Sequence, residues 1–129
     1  MYKNRINLAK NRMVLILQGM TELSELQAWS NDLLSKLKNL KPGFGVISDI
    51  MECRPTTERG RLLIQETQRM AKEIGMGHVV RVVKSSNAVT ANQWQRSSRL
   101  VGYLAAEAGS ITEAEKLLDD LEKKEQSPA

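Results

Sequence analysis

The feature that most constrains the fold is the alternation of short apolar runs with longer amphipathic stretches along nearly the whole chain. Residues 5–8 and 13–17 have the pattern of two strands, and the polar stretch 10–12 between them is typical of a turn. Apolar side chains then recur at helical spacing over 23–40, until a Pro-Gly pair ends the pattern. The first third of the chain therefore predicts a hairpin followed by a helix, for which Thr21 is the expected N-cap.

Strands and helices continue to alternate in the rest of the chain. The segment 101–107 fits either a strand or a continuation of the helix before it, which Gly102 weakens, and we favour the strand. The run Ser-Ile-Thr-Glu at 110–113 has the spacing of a capping box and predicts the start of the last helix. The predicted elements are a strand at 44–49, a helix from about Thr57 to Gly75 or Gly77, a strand at 78–83, a short helix at 92–98, a strand at 101–107 and a helix from Ser110.

Strands separated by helices of this length imply right-handed crossovers between parallel strands. The sequence therefore predicts the α/β class: a mostly parallel sheet of about five strands, with an N-terminal hairpin and about four helices. The chain of 129 residues has the length of one domain, expected over 1–124, with a polar C-terminal tail at 125–129. Ligands of such sheets bind at the carboxyl ends of the strands, so that edge is where we expect the functional site.

The order of these segments, and the ending Gly-Ser-Ile-Thr-Glu-Ala-Glu-Lys-Leu-Leu at 109–118, resemble the STAS domain over residues 3–123. STAS domains are the modules of anti-sigma-factor antagonists and of the cytoplasmic ends of sulfate transporters. The resemblance implies a STAS-like fold and a non-enzymatic regulatory domain that binds a protein partner. In the antagonists, the loop after the third strand carries an Asp-Ser-Ser/Thr-Gly motif whose hydroxyl is phosphorylated. The stretch 49–60 has no such serine, and whether Thr56 or Thr57 is modified instead stays open.

The loops after the third and fourth strands also suggest a small-ligand module as an alternative function. A helix N-terminus offers unpaired N–H groups and a positive dipole end, and cations and hydroxyls lie close to it in the sequence. The candidate residues for a phosphate or carboxylate site are Arg54, Thr56, Thr57, Arg59, Lys84 and Ser85. In the competing interpretation, a threonine only caps the helix and the arginines pair with nearby acidic residues.

The sequence offers no convergent set of catalytic or metal-binding residues. Cys53 stands near a helix start beside Arg54, where a thiol can have a lowered pKa, but nucleophilic chemistry also needs a base. The single histidine, His78, begins the fourth strand and is expected at the opposite edge of the sheet. We therefore expect an unreactive cysteine, no metal site and no cofactor, and we favour a non-enzymatic protein, with an enzyme as the third alternative.

The distribution of charge and aromatic residues restricts the class of partner. Residues 1–106 carry 16 basic and 8 acidic side chains, whereas residues 107–129 carry 3 and 7. The basic residues are spread over every segment, and the chain has only five aromatic side chains, too few exposed ones for stacking on single-stranded nucleic acid. A protein partner is therefore expected, and nucleic acid is disfavoured.

Cysteine usage and strand composition predict location and self-association. One cysteine cannot form an intramolecular disulfide, and no apolar run is long enough for a signal peptide or a membrane span, so we expect a cytoplasmic protein without membrane insertion. The strands at 13–17 and 79–83 are apolar on nearly both faces and need cover on both sides of the sheet. Where helices do not supply that cover, a second copy would, which suggests a homodimer.

Overall fold

The computed structural model describes residues 1–126 and confirms the α/β class, with a five-stranded, mostly parallel sheet and four α-helices. In chain order the elements are β1 (Tyr2–Asn7), β2 (Arg12–Gly19), α1 (Leu23–Leu37), β3 (Gly45–Cys53), α2 (Glu58–Ile74), β4 (Val79–Val82), a 3₁₀ turn (Ser85–Asn87), α3 (Ala88–Val101), β5 (Ala106–Ala108) and α4 (Ile111–Gln126). No helix within the described residues is long and apolar enough to cross a membrane.

The strands lie in the sheet in the order in which they occur in the chain. β1 pairs with β2 in an antiparallel hairpin, and β2 to β5 are parallel. Right-handed crossovers that always advance in the same direction place α1, α2 and α3 on one face, where α1 packs on α2 and α2 packs on α3. α4 follows the last strand, returns over the other face and packs on β3, β4 and β5.

The alternation of side chains along the strands divides the core into two layers. Met13, Leu15 and Leu17 of β2 pack under α1 and α2, together with the aromatic pair Trp29 and Trp94, whose ring centroids lie 5.6 Å apart. The thinner layer beneath α4 is built from Ile47, Val80 and Val82 of the sheet with Ala114 and Leu118 of the helix. The large layer therefore lies on the three-helix face.

Local chemistry explains several helix ends. The Thr57 hydroxyl accepts a hydrogen bond from the Gly60 amide and caps α2, and Gly75 ends α2 with a φ of 126°, which favours glycine. At α4, Ser110 Oγ accepts from the Glu113 amide while the Glu113 carboxylate accepts from the Gly109 amide. The structure therefore selects Thr57 as the cap of α2 and Gly75 as its end, between the alternatives that the sequence left open, and it confirms the capping box predicted at 110–113.

Several of the predicted boundaries differ from the structure, among them the end of β3, which is Cys53 and not residue 49. Thr21 does not cap α1, whose N-cap position is Glu22 and has no side-chain capping bond. α3 starts four residues before the predicted 92, and it continues through Val101 until Gly102 ends it in the left-handed conformation. The strand predicted at 101–107 is therefore only three residues long, Ala106–Ala108, because residues 102–105 form the connection that brings the chain back to β4.

The end of the chain is helical for longer than the pattern suggests. α4 extends through Gln126, two residues into the predicted tail at 125–129, and residues 127–129 lie outside the described part of the chain.

α4 is joined to the sheet by Arg12 at the start of β2, whose buried guanidinium contacts Glu115, Asp119 and Glu122. These contacts fasten the last helix to the second strand.

Candidate functional site

The carboxyl ends of the parallel strands carry an open groove of about 440 Å³ between three loops. Gly19 contributes from the end of β2, where the β2–α1 loop begins, Arg54 and Pro55 from the β3–α2 loop, and Lys84 and Asn87 from the β4–α3 loop. The Arg54 amide donates to the Gly19 carbonyl at 2.8 Å and so joins the first two loops. The groove is therefore the place where the topology brings loops distant in sequence together.

The floor of the groove is organised by the side-chain amide of Asn87. Its Nδ2 lies 2.6 Å from the Cys53 carbonyl oxygen, 3.0 Å from that of Met51 and 3.3 Å from that of Ile50. Thr90 Oγ1, in the first turn of α3, donates a second hydrogen bond of 2.9 Å to the Cys53 carbonyl. These bonds supply partners for main-chain carbonyls at the end of β3, beyond Asp49, where the pairing of β3 with β4 stops.

The side chain of Gln93 fixes the next part of the same loop. Its Oε1 accepts from the Thr56 amide at 3.1 Å, and its Nε2 donates to the Thr56 carbonyl at 3.1 Å. A Cβ on Gly60 would lie 2.0 Å from Thr56 Oγ1, so only glycine allows α2 to start this close to the loop. The segment 53–57 is therefore held by Asn87 of the 3₁₀ turn and by Thr90 and Gln93 of α3.

The structure brings two of the six predicted anion-site residues into the groove. Arg54 is exposed and has no ion pair with any described residue, whereas the Lys84 ammonium forms an ion pair with Glu52. Thr57 uses its hydroxyl as the α2 cap, and Thr56 is half-buried with its main chain bonded to Gln93. Arg59 on the first turn of α2 and Ser85 in the 3₁₀ turn are exposed but do not line the groove.

The environment of Cys53 differs from that of a catalytic thiol. The residue is buried, its Sγ lies 3.7 Å from the Arg54 carbonyl oxygen, and burial raises the pKa of the thiol to about 12. His78 lies before β4, at the opposite edge of the sheet, with Nε2 3.0 Å from the Glu125 carboxylate. Among residues 1–126 there is no group of three side chains suited to holding a metal ion.

Sequence reasoning missed the residues that position the loop. Gln93 lies in the predicted helix at 92–98, and Asn87 and Thr90 lie in the segment before it. Nothing in their spacing shows that they bond to a loop more than thirty residues earlier. One signal was available for Asn87 alone, because an asparagine before a helix favours a capping or turn role. The structure gives it a different role, since its side chain makes no cap bond in α3.

A buried arginine on β4 was also missed. Arg81 is 2% exposed and is paired with Ser48 of the neighbouring parallel strand β3. Its guanidinium donates to Gln95 Oε1 at 2.9 Å and lies 5.9 Å from the Trp94 ring centroid. No acidic group in the described residues lies within ion-pair distance, and burial lowers the pKa of this side chain. The three-helix layer therefore contains a charge without an opposite partner.

Comparisons with known proteins give a fold and no activity. No family model matches the chain, and no curated protein matches it in sequence. Three solved chains match in structure, among them the NMR structure of the protein TM1081, with a TM-score of 0.57 and 13% identity. The likeness covers 90% of this chain and 86% of that one. At this level of identity it shows a shared fold alone.

Proposed function

We propose that this chain is a non-enzymatic, STAS-like protein-interaction domain that contacts its partner through the exposed loop 53–57. The observation that carries the proposal is that the main chain of this loop is fixed by hydrogen bonds from Asn87, Thr90 and Gln93. The side chains of Arg54 and Pro55 in the same loop are exposed to solvent. These three side chains use their polar atoms to hold the main chain of the loop. This role favours binding of a partner over catalysis.

A loop fixed in this way is suited to binding for an energetic reason. A flexible loop loses conformational freedom when a partner orders it, and that loss weakens the complex. Here the ordering is supplied within the folded domain by the hydrogen bonds to the carbonyls of Cys53 and Thr56. The loop can therefore present one shape to a partner at low entropic cost.

The charge of the loop region indicates the chemistry of the partner. Arg54 and Arg59 are both exposed, and neither forms an ion pair with a described residue. Arginine forms bidentate hydrogen bonds with carboxylates, so the partner segment is proposed to be acidic. Attraction of this kind raises the association rate and depends on salt concentration.

Photo-crosslinking in the native cell tests the proposal. A photoreactive amino acid at position 55 is expected to capture one dominant protein, and the double variant Arg54→Glu, Arg59→Glu is expected to abolish that capture. Arg5→Glu is the matched control, since Arg5 is exposed on β1, away from the loop. Equal capture by the double variant and by the control, at equal melting temperature, would contradict the proposal.

A second candidate function is an anion-binding module at the same groove. The observation in its favour is that Arg54, which has no ion pair in the described chain, and Lys84 line one groove. Inorganic phosphate or acetate would then raise the melting temperature by binding the folded state alone, and Arg54→Glu would remove the shift. An unchanged melting temperature at millimolar phosphate and acetate would reject the anion-binding function and favour the protein-interaction proposal.

We propose that the homodimer forms through the face of the sheet on which α4 lies, at the hairpin of β1 and β2. On the α4 side of the sheet, α4 packs mainly on β3, β4 and β5 and contacts β2 through Arg12, and Val14 and Ile16 of β2 are half-buried. The outer edge of β1 is less suited to pairing, because the Lys36 ammonium donates to the Asn4 carbonyl there at 3.0 Å. A monomer mass by sedimentation at micromolar concentration would remove the dimer.

The proposed location remains the cytoplasm. It depends on the sequence alone, since a secreted domain of this length would more often carry paired cysteines than one buried thiol. Imaging of the tagged full-length chain in its native cell tests the location directly.

A further inference from the structure

α3 carries a row of apolar and basic side chains on its outer surface. Val89 and Leu100 are each 61% exposed, and Arg96 between them is exposed as well. These three positions are seven and four residues apart, which places them on one face of the helix. Arg99, three residues after Arg96, is exposed beside them. We call these four residues the α3 stripe.

The other sides of α3 are occupied by α2 and by the core. Arg61 Nη1 of α2 lies 3.5 Å from Ser97 Oγ, and Lys72 Nζ of α2 lies 3.3 Å from the Val101 carbonyl oxygen. Trp94 is 3% exposed and belongs to the core of the three-helix layer. The α3 stripe therefore faces away from the domain, and its apolar side chains remain open to a partner.

The charge of the α3 stripe is not neutralised by acidic residues of the described chain. Residues 88–101 contain no Asp or Glu, and neither Arg96 nor Arg99 forms an ion pair with a described residue. Glu58 is influenced by Arg96, but its pKa is lowered mainly by the hydrogen bond from Arg61, which already engages this carboxylate. Two such arginines beside two exposed aliphatic side chains fit a partner that is both acidic and apolar.

The helical main chain of α3 restricts the secondary structure of that partner. The N–H and C=O groups within a helix bond to each other, so an extended segment lying along α3 would find no main-chain partners there. A second helix satisfies its own main chain and packs its side chains between those of α3. At about 1.5 Å per residue, Val89 and Leu100 are about 16 Å apart along the axis, so a facing helix of about three turns contacts both.

We propose that the partner segment is an acidic amphipathic helix that lies along the α3 stripe. This proposal rests on the protein-interaction function proposed above and adds the kind of segment that the domain recognises. Carboxylates of the partner pair with the two arginines, and its apolar side chains cover the valine and the leucine. The stripe begins beside loop 53–57, because Gln93 of α3 is bonded to the main chain of Thr56.

Photo-crosslinking from both ends of the stripe, in the full-length chain and the native cell, measures the geometry of the partner segment. A photoreactive amino acid replaces Val89 in one variant and Leu100 in another, and mass spectrometry locates the labelled residues of the captured protein. A helix along α3 predicts two labelled sites about 11 residues apart in one acidic segment, whereas an extended segment predicts about 5. A spacing near five, or labels in unrelated segments, would overturn the proposal.

Charge reversal tests the basic part of the stripe. The double variant Arg96→Glu, Arg99→Glu is expected to lower capture from position 89 by about tenfold. Arg96→Gln, Arg99→Gln removes the attraction without adding repulsion and is the second variant, should the first one fold poorly. Lys3→Glu, Lys116→Glu is the matched control, at exposed lysines of β1 and α4. Equal capture by the arginine variants and this control, at equal melting temperature, would contradict an acidic partner.

Comparison with capture from position 55 separates this proposal from the proposed function. Capture from 55 alone keeps a protein partner at the loop and rejects the helix on α3, whereas no capture from any of the three positions rejects both. Capture from 89 and 100 alone, at helical spacing, supports the helix and rejects the loop as the contact. Sedimentation with phosphatidylserine vesicles tests a membrane as the occupant. Vesicle binding by wild type that is lost in Arg96→Glu, Arg99→Glu would overturn the proposal.

Discussion

The side-chain amide of Asn87 lies 2.6 Å from the carbonyl oxygen of Cys53 and ties the start of α3 to the end of β3. The two residues belong to different crossovers of the sheet, so their contact exists only once β3 and β4 are paired. The shape of loop 53–57 is consequently a product of the tertiary fold. The proposed recognition function depends on this contact.

The substitution Asn87→Ala tests how far the loop depends on its anchor. It removes the donor that serves three main-chain carbonyls, and we expect the free energy of unfolding to fall by about 1–2 kcal/mol. Amide hydrogen exchange should accelerate at 53–57 more than in α4, because the effect is local. Asn92→Ala, at an exposed position of α3, is the control and should change neither quantity. Unchanged exchange at 53–57 in Asn87→Ala would show that Thr90 and Gln93 are sufficient.

The thiol of Cys53 is expected to be unreactive in the folded protein. It is buried and its pKa is raised to about 12 by that burial, so the thiolate that reacts with disulfide reagents is scarce at neutral pH. Labelling with Ellman's reagent should be slow in buffer and should accelerate with urea in step with unfolding. Fast labelling of the native protein would show that the Cys53 thiol is accessible and reactive, and would contradict this prediction.

Helix ends were predictable from sequence where the determinant is local. Thr57, Gly75 and Ser110 act through atoms a few residues away, so their identity and position were sufficient. The start of α3 was not predictable in this way, because Val89 and Thr90 are β-branched and favour strands. They are helical here in a context where Thr90 Oγ1 bonds to the Cys53 carbonyl, a contact between distant segments.

The candidate site was predictable only in its general place. Topology placed the functional edge at the loops that follow β3 and β4, and Arg54 and Lys84 do meet there. Pairing between particular side chains, such as Lys84 with Glu52, depends on strand register, which the sequence pattern does not contain. Arg81 was missed for a related reason, since a polar residue inside an apolar run is commonly taken as a surface position, whereas Arg12 was predicted in the turn at 10–12 and is the buried first residue of β2.

Replacement of Arg81 by methionine is expected to raise the free energy of unfolding by about 1 kcal/mol, because a buried charge without an acidic partner costs more than a neutral side chain of similar volume. Arg81→Lys is the contrasting variant: it keeps the charge, loses the planar contact with Trp94 and should be less stable than wild type. Urea denaturation measures both. A loss of stability in Arg81→Met would show that the bonds to Gln95 and Tyr103 outweigh the cost of burial.

Arg12 should respond in the opposite direction, because its removal leaves acidic groups behind. The guanidinium is 1% exposed and contacts Glu115, Asp119 and Glu122, so Arg12→Met deprives three carboxylates of α4 of their partner. We expect the free energy of unfolding to fall by about 2 kcal/mol, less than for a fully buried pair, since the carboxylates can regain water and Asp119 keeps its ion pair with Lys10. Urea denaturation at pH 7 provides the measurement, and Arg5→Met, at an exposed position of β1, is the matched control.

The same network predicts a dependence of stability on pH. The hydrogen bond from Arg12 holds the pKa of Asp119 below its ordinary value of 3.8. A lowered pKa in the folded state means that the carboxylate stabilises the fold above pH 3.8 and that this contribution is lost as the pH falls through the lowered value. Wild type should therefore lose stability in this acidic range, and Arg12→Met should lose less over the same interval. Parallel stability curves for the two proteins below pH 4 would show that Asp119 does not depend on Arg12 in the folded state.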